Sequence, residues 1–298
     1  MAGDAGVTGV LLMAYGTPAS PDQIEAYYTH IRRGRPPTPE QLDDLRRRYA
    51  AIGGISPLRE RTRSQVAGIQ AALGPAYVTA LGQKHAAPFI EDAVAQLAGQ
   101  GAERIVGLVL APHYSALSVG EYHERASKAA GSVPYTGVPS WHLEPGLVSL
   151  LAGRVATALE PMPGAQVLFT AHSLPERVRA MGDPYPGQVA ATGQAVADAL
   201  GLPPERWRVA WQSAGRTPEP WLGPSLVEVI PDLAAGDVLV CPVGFTSDHL
   251  EVLYDIDIEA RAAAEAAGKR LGRTASLNDD PAFCSVVAGV VQQAAATT

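Results

Sequence analysis

Glu251, Asp255 and Glu259 recur at i, i+4 and i+8, so on a helix they form a single stripe. Like charges at that spacing repel by about a few tenths of a kcal/mol per pair, and a cation, a proton or solvent must relieve them. Solvent is the ordinary answer, but Phe245, Leu250, Leu253 and Tyr254 around the start of the stripe imply partial enclosure. His172 directly follows the buried-strand pattern Val167-Leu168-Phe169-Thr170-Ala171. An imidazole at a strand's carboxyl end can take a proton near neutral pH or ligate a borderline metal. The plainer alternative is a histidine bonded to loop backbone. Tyr15 closes the first strand pattern, where a phenol either reaches a ligand or caps the core. The segment from Trp211 to Trp221 carries two indoles among prolines, a stiff wall for a flat aromatic ligand or an ordinary packed loop. His85 follows a strand and precedes a helix, so it can line a cleft. His30, His123 and His142 read as surface residues.

The basic residues are unevenly placed. Of the 23, 20 are Arg, and nine of these fall at positions 32, 33, 35, 46, 47, 48, 59, 61 and 63. Solvated helix faces account for such a cluster; a site for a small polyanion does so as well, because Arg recognises carboxylates bidentately. The net charge of −7 argues against general nucleic-acid binding. With 298 residues, 47% hydrophobic and 18% charged, the chain supports one large core or two domains and is not a disordered chain. No apolar run reaches the length of a membrane span, and Met1-Ala2-Gly3-Asp4 has no basic region of a signal peptide. A cytoplasmic protein is expected.

Short apolar runs alternate with helical patterns throughout. Strands are expected at Gly9–Tyr15, Tyr77–Leu81, Arg104–Leu110, Gln166–Ala171, Arg208–Gln212 and Asp237–Val243. Helix starts are marked by Ser20-Pro21-Asp22-Gln23, Thr38-Pro39-Glu40-Gln41, Ser173-Leu174-Pro175-Glu176 and Asp280-Pro281. A long helix is expected from the Glu251 stripe to about Gly268. Gly131–Pro139 reads as a boundary, giving domains at 1–138 and 139–298. The segments Arg104–Ser115 and Asp237–Thr246 share a plan, so the halves resemble a duplication. The expected fold is α/β: two similar Rossmann-like domains, each a parallel sheet flanked by helices. Ligands of such sheets bind outside the carboxyl ends of the strands, which selects the loops at Tyr15, His113, His172 and Gly244–Glu251. There is no Gly-x-Gly-x-x-Gly after the first strand, no Walker lysine, no Cys-x-x-Cys and no Gly-x-Ser-x-Gly.

These residues resemble the ferrochelatase family, whose members insert ferrous iron into a porphyrin. The likeness is carried by Tyr15-Gly16-Thr17-Pro18, Gly53-Gly54-Ile55-Ser56-Pro57-Leu58, Ala171-His172-Ser173-Leu174-Pro175, Trp211-Gln212-Ser213, Trp221-Leu222-Gly223-Pro224 and Asp248-His249-Leu250-Glu251. It implies chelatase-type domains with a porphyrin cleft between them, and His172 and Glu251 facing each other across it. There they bind the iron or take up the pyrrole protons, with Asp255 and Glu259 continuing as a relay for metal or protons. The short bacterial coproporphyrin branch is the nearer match: Tyr15 replaces a Met-like residue, and Arg and Pro replace an apolar lip between Ile31 and Gln41. By the same correspondence Tyr15, Arg32, Arg48, Tyr49, Ser56 and Tyr122 contact the porphyrin, and Tyr15 can ligate the product iron. The arginines then suit a substrate with four propionates.

The resemblance further implies ferrous iron as substrate, no tightly bound cofactor and, with only Cys241 and Cys284, no iron–sulfur cluster. Partners are the porphyrin, the iron and possible haem-pathway enzymes; neither nucleic acid nor a membrane-embedded segment is expected. Alternatives are the protoporphyrin reaction, another tetrapyrrole chelatase such as a cobalt chelatase on sirohydrochlorin, and a non-catalytic haem carrier using Tyr15 and His172. A carrier has no need of the Glu251–Asp255–Glu259 stripe.

Overall fold

The computed structural model describes residues 6–215 and 217–297, so the Met1–Asp4 segment considered above lies outside the described residues. Strand β1 (Thr8–Ala14) is buried along its whole length. It lies between β2 (Tyr77–Gln83) and β3 (Arg104–Val109), and β4 (Tyr135–Val138) completes a parallel sheet of order β2-β1-β3-β4. An interior strand of a parallel sheet is covered on both faces, which is why Val10-Leu11-Leu12-Met13 runs apolar without alternation. The second sheet repeats the plan. Strands β5 (Gln166–His172), β6 (Trp207–Gln212), β7 (Asp237–Cys241) and β8 (Arg270–Arg273) are parallel in the order β6-β5-β7-β8. The expected α/β fold of two similar parallel sheets with flanking helices is therefore observed.

The division of the chain is less simple than a cut at 138/139. The first compact unit comprises the chain up to Ala111, Ala116–Trp141 and everything from Asn278 on. The second comprises Pro112–Ser115 and His142–Leu277. The last helix, Pro281–Ala296, thus belongs to the first unit and not to a 139–298 domain. It packs on the helix Leu58–Leu73, where Gly68 provides the space: a Cβ there would sit 2.6 Å from the Cys284 sulfur. Phe283 adds a ring contact to Trp141. The apolar pattern of the last helix shows that it is buried but not which sheet it covers. Pro112–Ser115 goes the other way because its polar groups bond into the second unit. Ser115 donates to Asp183 at 2.9 Å, and the Tyr114 amide donates to Gln188 Oε1 at 2.7 Å. The supposed boundary at Gly131–Pro139 contains β4.

Local signals fared unevenly. Thr38 forms the expected capping box at the head of Pro39–Ala51, and Asp280 caps the last helix by accepting from the Ala282 amide. Ser20 makes no side-chain cap; a 3-10 turn, Pro21–Gln23, leads into the helix Ile24–Ile31. Ser173 is buried and donates to the Leu222 carbonyl instead of capping, and only the short helix Arg177–Ala180 follows. Among the described residues no helix is long and apolar enough to cross a membrane.

Candidate active site

In the second unit the chain steps from β5 outward to β6 and then back across to β7. The order of strands therefore reverses between β5 and β7, and loops leaving the two diverge there. His172 is the last residue of β5. Its Nδ1 donates to the Ser173 carbonyl, which fixes the tautomer and leaves Nε2 facing Glu251, 3.5 Å from Oε1. Tyr185 steadies the same turn, its hydroxyl donating to the His172 carbonyl at 3.0 Å. Glu251 lies in Leu250–Leu253, the first turn beyond the β7 loop. Its other oxygen is 3.5 Å from His249 Nε2, so one carboxylate bridges two imidazoles.

Burial opposes a charge on His172, but the Glu251 carboxylate, the Ser173 carbonyl and Asp255 outweigh it, and its pKa is pushed up to about 9. Burial likewise works against the Glu251 anion, yet His172 and His249 hold that carboxyl well below the usual range. Together the two form a proton-holding pair at the strand ends.

The expected long helix is three pieces: Leu250–Leu253, a π-helical stretch at Asp255–Ala260, and Arg261–Ala266. The wide turn is seen in the Glu259 amide, which donates to the Tyr254 carbonyl five residues back. Asp255 is buried and accepts from the Ser213 hydroxyl, while Glu259 is half-buried. Ser213 itself holds φ at 59°, a left-handed conformation uncommon for a serine, directly behind β6.

Two further residues build this site. Gln212, the last residue of β6, stands in register with His172 and donates to the Glu251 carbonyl at 3.0 Å. His249 is the extended residue just ahead of Leu250–Leu253, and its Nε2 reaches the Glu251 carboxylate. Both were legible. Applied to β6, the strand-end rule that selected His172 also selects Gln212.

The first unit carries the remaining expected residues. Tyr15, beyond the end of β1, is 43% exposed, and its ring packs on His85 with centroids 4.6 Å apart. Tyr122 is buried, Lys84 lies over its ring at 5.1 Å, and burial together with nearby Tyr15 pushes its phenol up. Tyr49 is also buried, with its hydroxyl 3.3 Å from that of Thr17. Ser56 is buried and accepts from the Leu58 amide. Arg32 is half-exposed, donates to the Arg35 carbonyl and lies over the Tyr28 ring. Arg48 approaches Asp44 at 3.2 Å. The arginine-rich segment is in good part internally neutralised: Arg46 approaches Glu25, Arg47 pairs with Asp44, Arg61 with Asp279 and Arg33 with Glu121.

His123 is not a free surface group, since it bonds the Tyr135 hydroxyl at 2.6 Å and the Val138 carbonyl at 2.9 Å. His113, in one of the selected strand-end loops, is buried in the second unit against Thr192. No group of three or more His, Cys, Asp and Glu side chains among the described residues is gathered to hold a metal unaided. Both cysteines are buried, and burial pushes the Cys241 thiol up to about 12, so it is no ready thiolate.

The ferrochelatase family model matches residues 7–295. Among curated proteins, a ferrochelatase of Herpetosiphon aurantiacus is 43% identical over 95% of this chain and 98% of its own length. Coproporphyrin III ferrochelatases of Geobacillus kaustophilus and Bacillus subtilis are 44% and 42% identical over 95% of this chain and 94% and 96% of theirs. Among solved structures, the sirohydrochlorin chelatase SirB of Bacillus subtilis subspecies spizizenii, in complex with cobalt, superposes with a TM-score of 0.62. That match covers 98% of this chain and 96% of SirB at 13% identity, a likeness of fold.

Proposed function

The chain belongs to the ferrochelatase family, and on that footing we propose that it inserts ferrous iron into coproporphyrin III to give coprohaem. The observation that carries the mechanism is the carboxylate of Glu251 between His172 and His249, at the reversal point of a parallel sheet. Metallation must remove two protons from pyrrole nitrogens and strip water from the metal. At neutral pH the pair carries its proton on His172; once that proton has left, Nε2 can accept one from a pyrrole, and with the Glu251 carboxylate it offers ligands that suit ferrous iron. Among the described residues no group of three or more such ligands is gathered, so the site would hold the metal incompletely and the macrocycle would supply the remaining nitrogens.

Each side chain has a definite task on this reading. The Ser173 carbonyl keeps the proton of His172 on Nδ1, so Nε2 does the accepting or ligating. Gln212 holds the main chain of Glu251, and buried Asp255, bonded by Ser213, carries protons or metal onward with Glu259. Tyr15, exposed at its strand end, serves as a ligand to the product iron. Arg32, Arg48, Tyr49, Ser56 and Tyr122 form the porphyrin-binding set, the arginines meeting propionates and the buried residues shaping the wall. The chemistry needs no resident cofactor, and a thiolate-bound cluster does not suit two buried thiols. The protein works in the cytoplasm, with porphyrin, ferrous iron and enzymes of haem synthesis as partners.

Anaerobic incubation with ferrous iron and either coproporphyrin III or protoporphyrin IX tests the reading. Free-porphyrin fluorescence should disappear with coproporphyrin III. Loss with protoporphyrin IX alone overturns the substrate, and loss with neither overturns the enzyme.

A further inference from the structure

Two imidazoles of the first unit converge with no part in the reaction as drawn. His30, near the end of Ile24–Ile31, and His85, just beyond β2, bring their Nδ1 atoms to 3.0 Å. We propose that this pair is a second divalent-metal site, at which the two Nδ1 atoms replace two adjacent waters of a hydrated first-row cation.

The separation is that of an ordinary hydrogen bond and is also the span of two adjacent ligands on an octahedral ion. With metal–nitrogen bonds of about 2.1 Å, neighbouring ligands at right angles stand about 3.0 Å apart, whereas tetrahedral ligands stand about 3.4 Å apart. A hydrogen bond between two Nδ1 atoms requires that at least one be bare, so a lone pair is already present. The rings are also held from behind. Phe89 stacks on His30 with centroids 5.3 Å apart, Tyr15 packs on His85, and the two imidazoles stand at 77° to each other.

The surroundings permit a cation. His30 borders an open surface depression of about 620 Å³ together with Thr29, Asp22 and Glu25, and the two carboxylates bring negative charge to that surface. The positive groups nearest His85 are already paired: Lys84 lies 2.5 Å from Glu121, and Arg125 grips Glu91 at 2.7 and 2.8 Å. Glu25 itself is 3.5 Å from Arg46, so its charge is only loosely committed. Borderline divalent ions such as Fe2+, Co2+ and Zn2+ are the class that imidazole suits.

A site with two protein ligands exchanges its metal readily. Beside Tyr15 it would act as a staging post from which iron passes inward. That role rests on the reading of the protein as a ferrochelatase; the binding of metal does not.

The test is titration of the full chain with Co2+ in a His172→Ala/Glu251→Gln background, which removes the candidate active-site ligands. One Co2+ per chain should bind, and adding His30→Ala or His85→Gln should weaken it at least tenfold by calorimetry. X-ray absorption of the Zn2+-loaded double variant should show two imidazoles per zinc, which separates ligation from any effect on folding. Unchanged affinity in either added variant, absence of binding in the background, or a spectrum without imidazole overturns the site. Iron insertion by the unaltered protein is assayed separately. A protein that binds Co2+ at the pair but metallates no porphyrin overturns the proposed function and leaves the site standing.

Discussion

Arg273 grips Asp257 through two parallel bonds, Nε to Oδ1 at 2.8 Å and Nη2 to Oδ2 at 2.9 Å. The same guanidinium reaches Asp248 at 3.3 Å, and Ser276 donates to that carboxylate at 2.7 Å. The stretch carrying Glu251 and Asp255 is thereby fastened to the end of β8 on both sides of its acidic row. Planar, bidentate recognition is what an arginine does and a lysine cannot.

Replacing Arg273 with Met leaves two largely buried carboxylates without their partner. A loss of about 3 kcal/mol is expected by urea denaturation, the low end for breaking such a pair because the network keeps some access to water. Arg273→Lys should fall between, restoring charge but not the fork. Equal stability of all three proteins would show that the clamp contributes nothing.

His172→Ala removes the group assigned to accept protons or hold iron. At saturating iron and coproporphyrin III, kcat should drop by about 100-fold or more, the ordinary scale for a general base. Below about pH 9 the thermal midpoint should fall as well, because the ion pair with Glu251 is lost, so turnover is compared at a temperature where the variant remains folded. Wild-type turnover in this variant would remove His172 from the mechanism.

The raised pKa of His172 sets a direction for pH dependence. Its folded value, about 9, exceeds the ordinary 6.5, so the ion pair stabilises the protein fully below 6.5 and ceases to do so as pH rises through 9. Metal and proton compete for the same Nε2. The KM for iron should therefore fall between pH 6.5 and 9, by up to about tenfold per unit. In Glu251→Gln the imidazole loses its counter-charge, and NMR titration should find its pKa lowered.

His113 gives the opposite sign. Burial, with His142 beside it, lowers its pKa from 6.5 to about 3. The Thr192 hydroxyl lies between the carbonyls of His142 and Gln188, so it donates to one of them and accepts from His113 Nε2–H. The neutral ring is the folded form, and the unfolded chain binds the proton more readily between pH 6.5 and 3. This site should lose about 1.4 kcal/mol of stability for each pH unit in that window as the solution is acidified. His113→Gln should flatten that slope in chemical denaturation at pH 6.5, 5.5 and 4.5.

What the sequence made legible were features carried by short stretches. Val167–Ala171 is apolar throughout because β5 is covered on both faces, and that pattern placed His172 at a strand end. The carboxylate spacing placed Glu251 and Asp255 near one another, but the π-helical turn from Asp255 was invisible, since an i, i+4, i+8 pattern reads as ordinary helix. Features set by distant partners were missed as well. The place of Gln212 at a strand end was legible, but not its bond to the carbonyl of Glu251, 39 residues away, nor the turn of Ser173 from a cap to Leu222, 49 residues away. The arginine cluster was visible as composition, but its pairing with Glu25, Asp44 and Asp279 was not.

The assignment of Pro281–Ala296 to the first unit has a consequence for how the protein is made. A ribosome has delivered all four strands of the first sheet by Val138, yet the helix that covers Leu58–Leu73 emerges only after the second unit. The second unit has no such debt, because His142–Leu277 follows Pro112–Ser115 and both are complete before Asn278. The domain begun first is finished after its neighbour, and it must wait with an apolar helix face uncovered for the whole synthesis of that neighbour. A stop codon between Leu277 and Pro281 would therefore injure the amino-terminal sheet and spare the unit translated just before it.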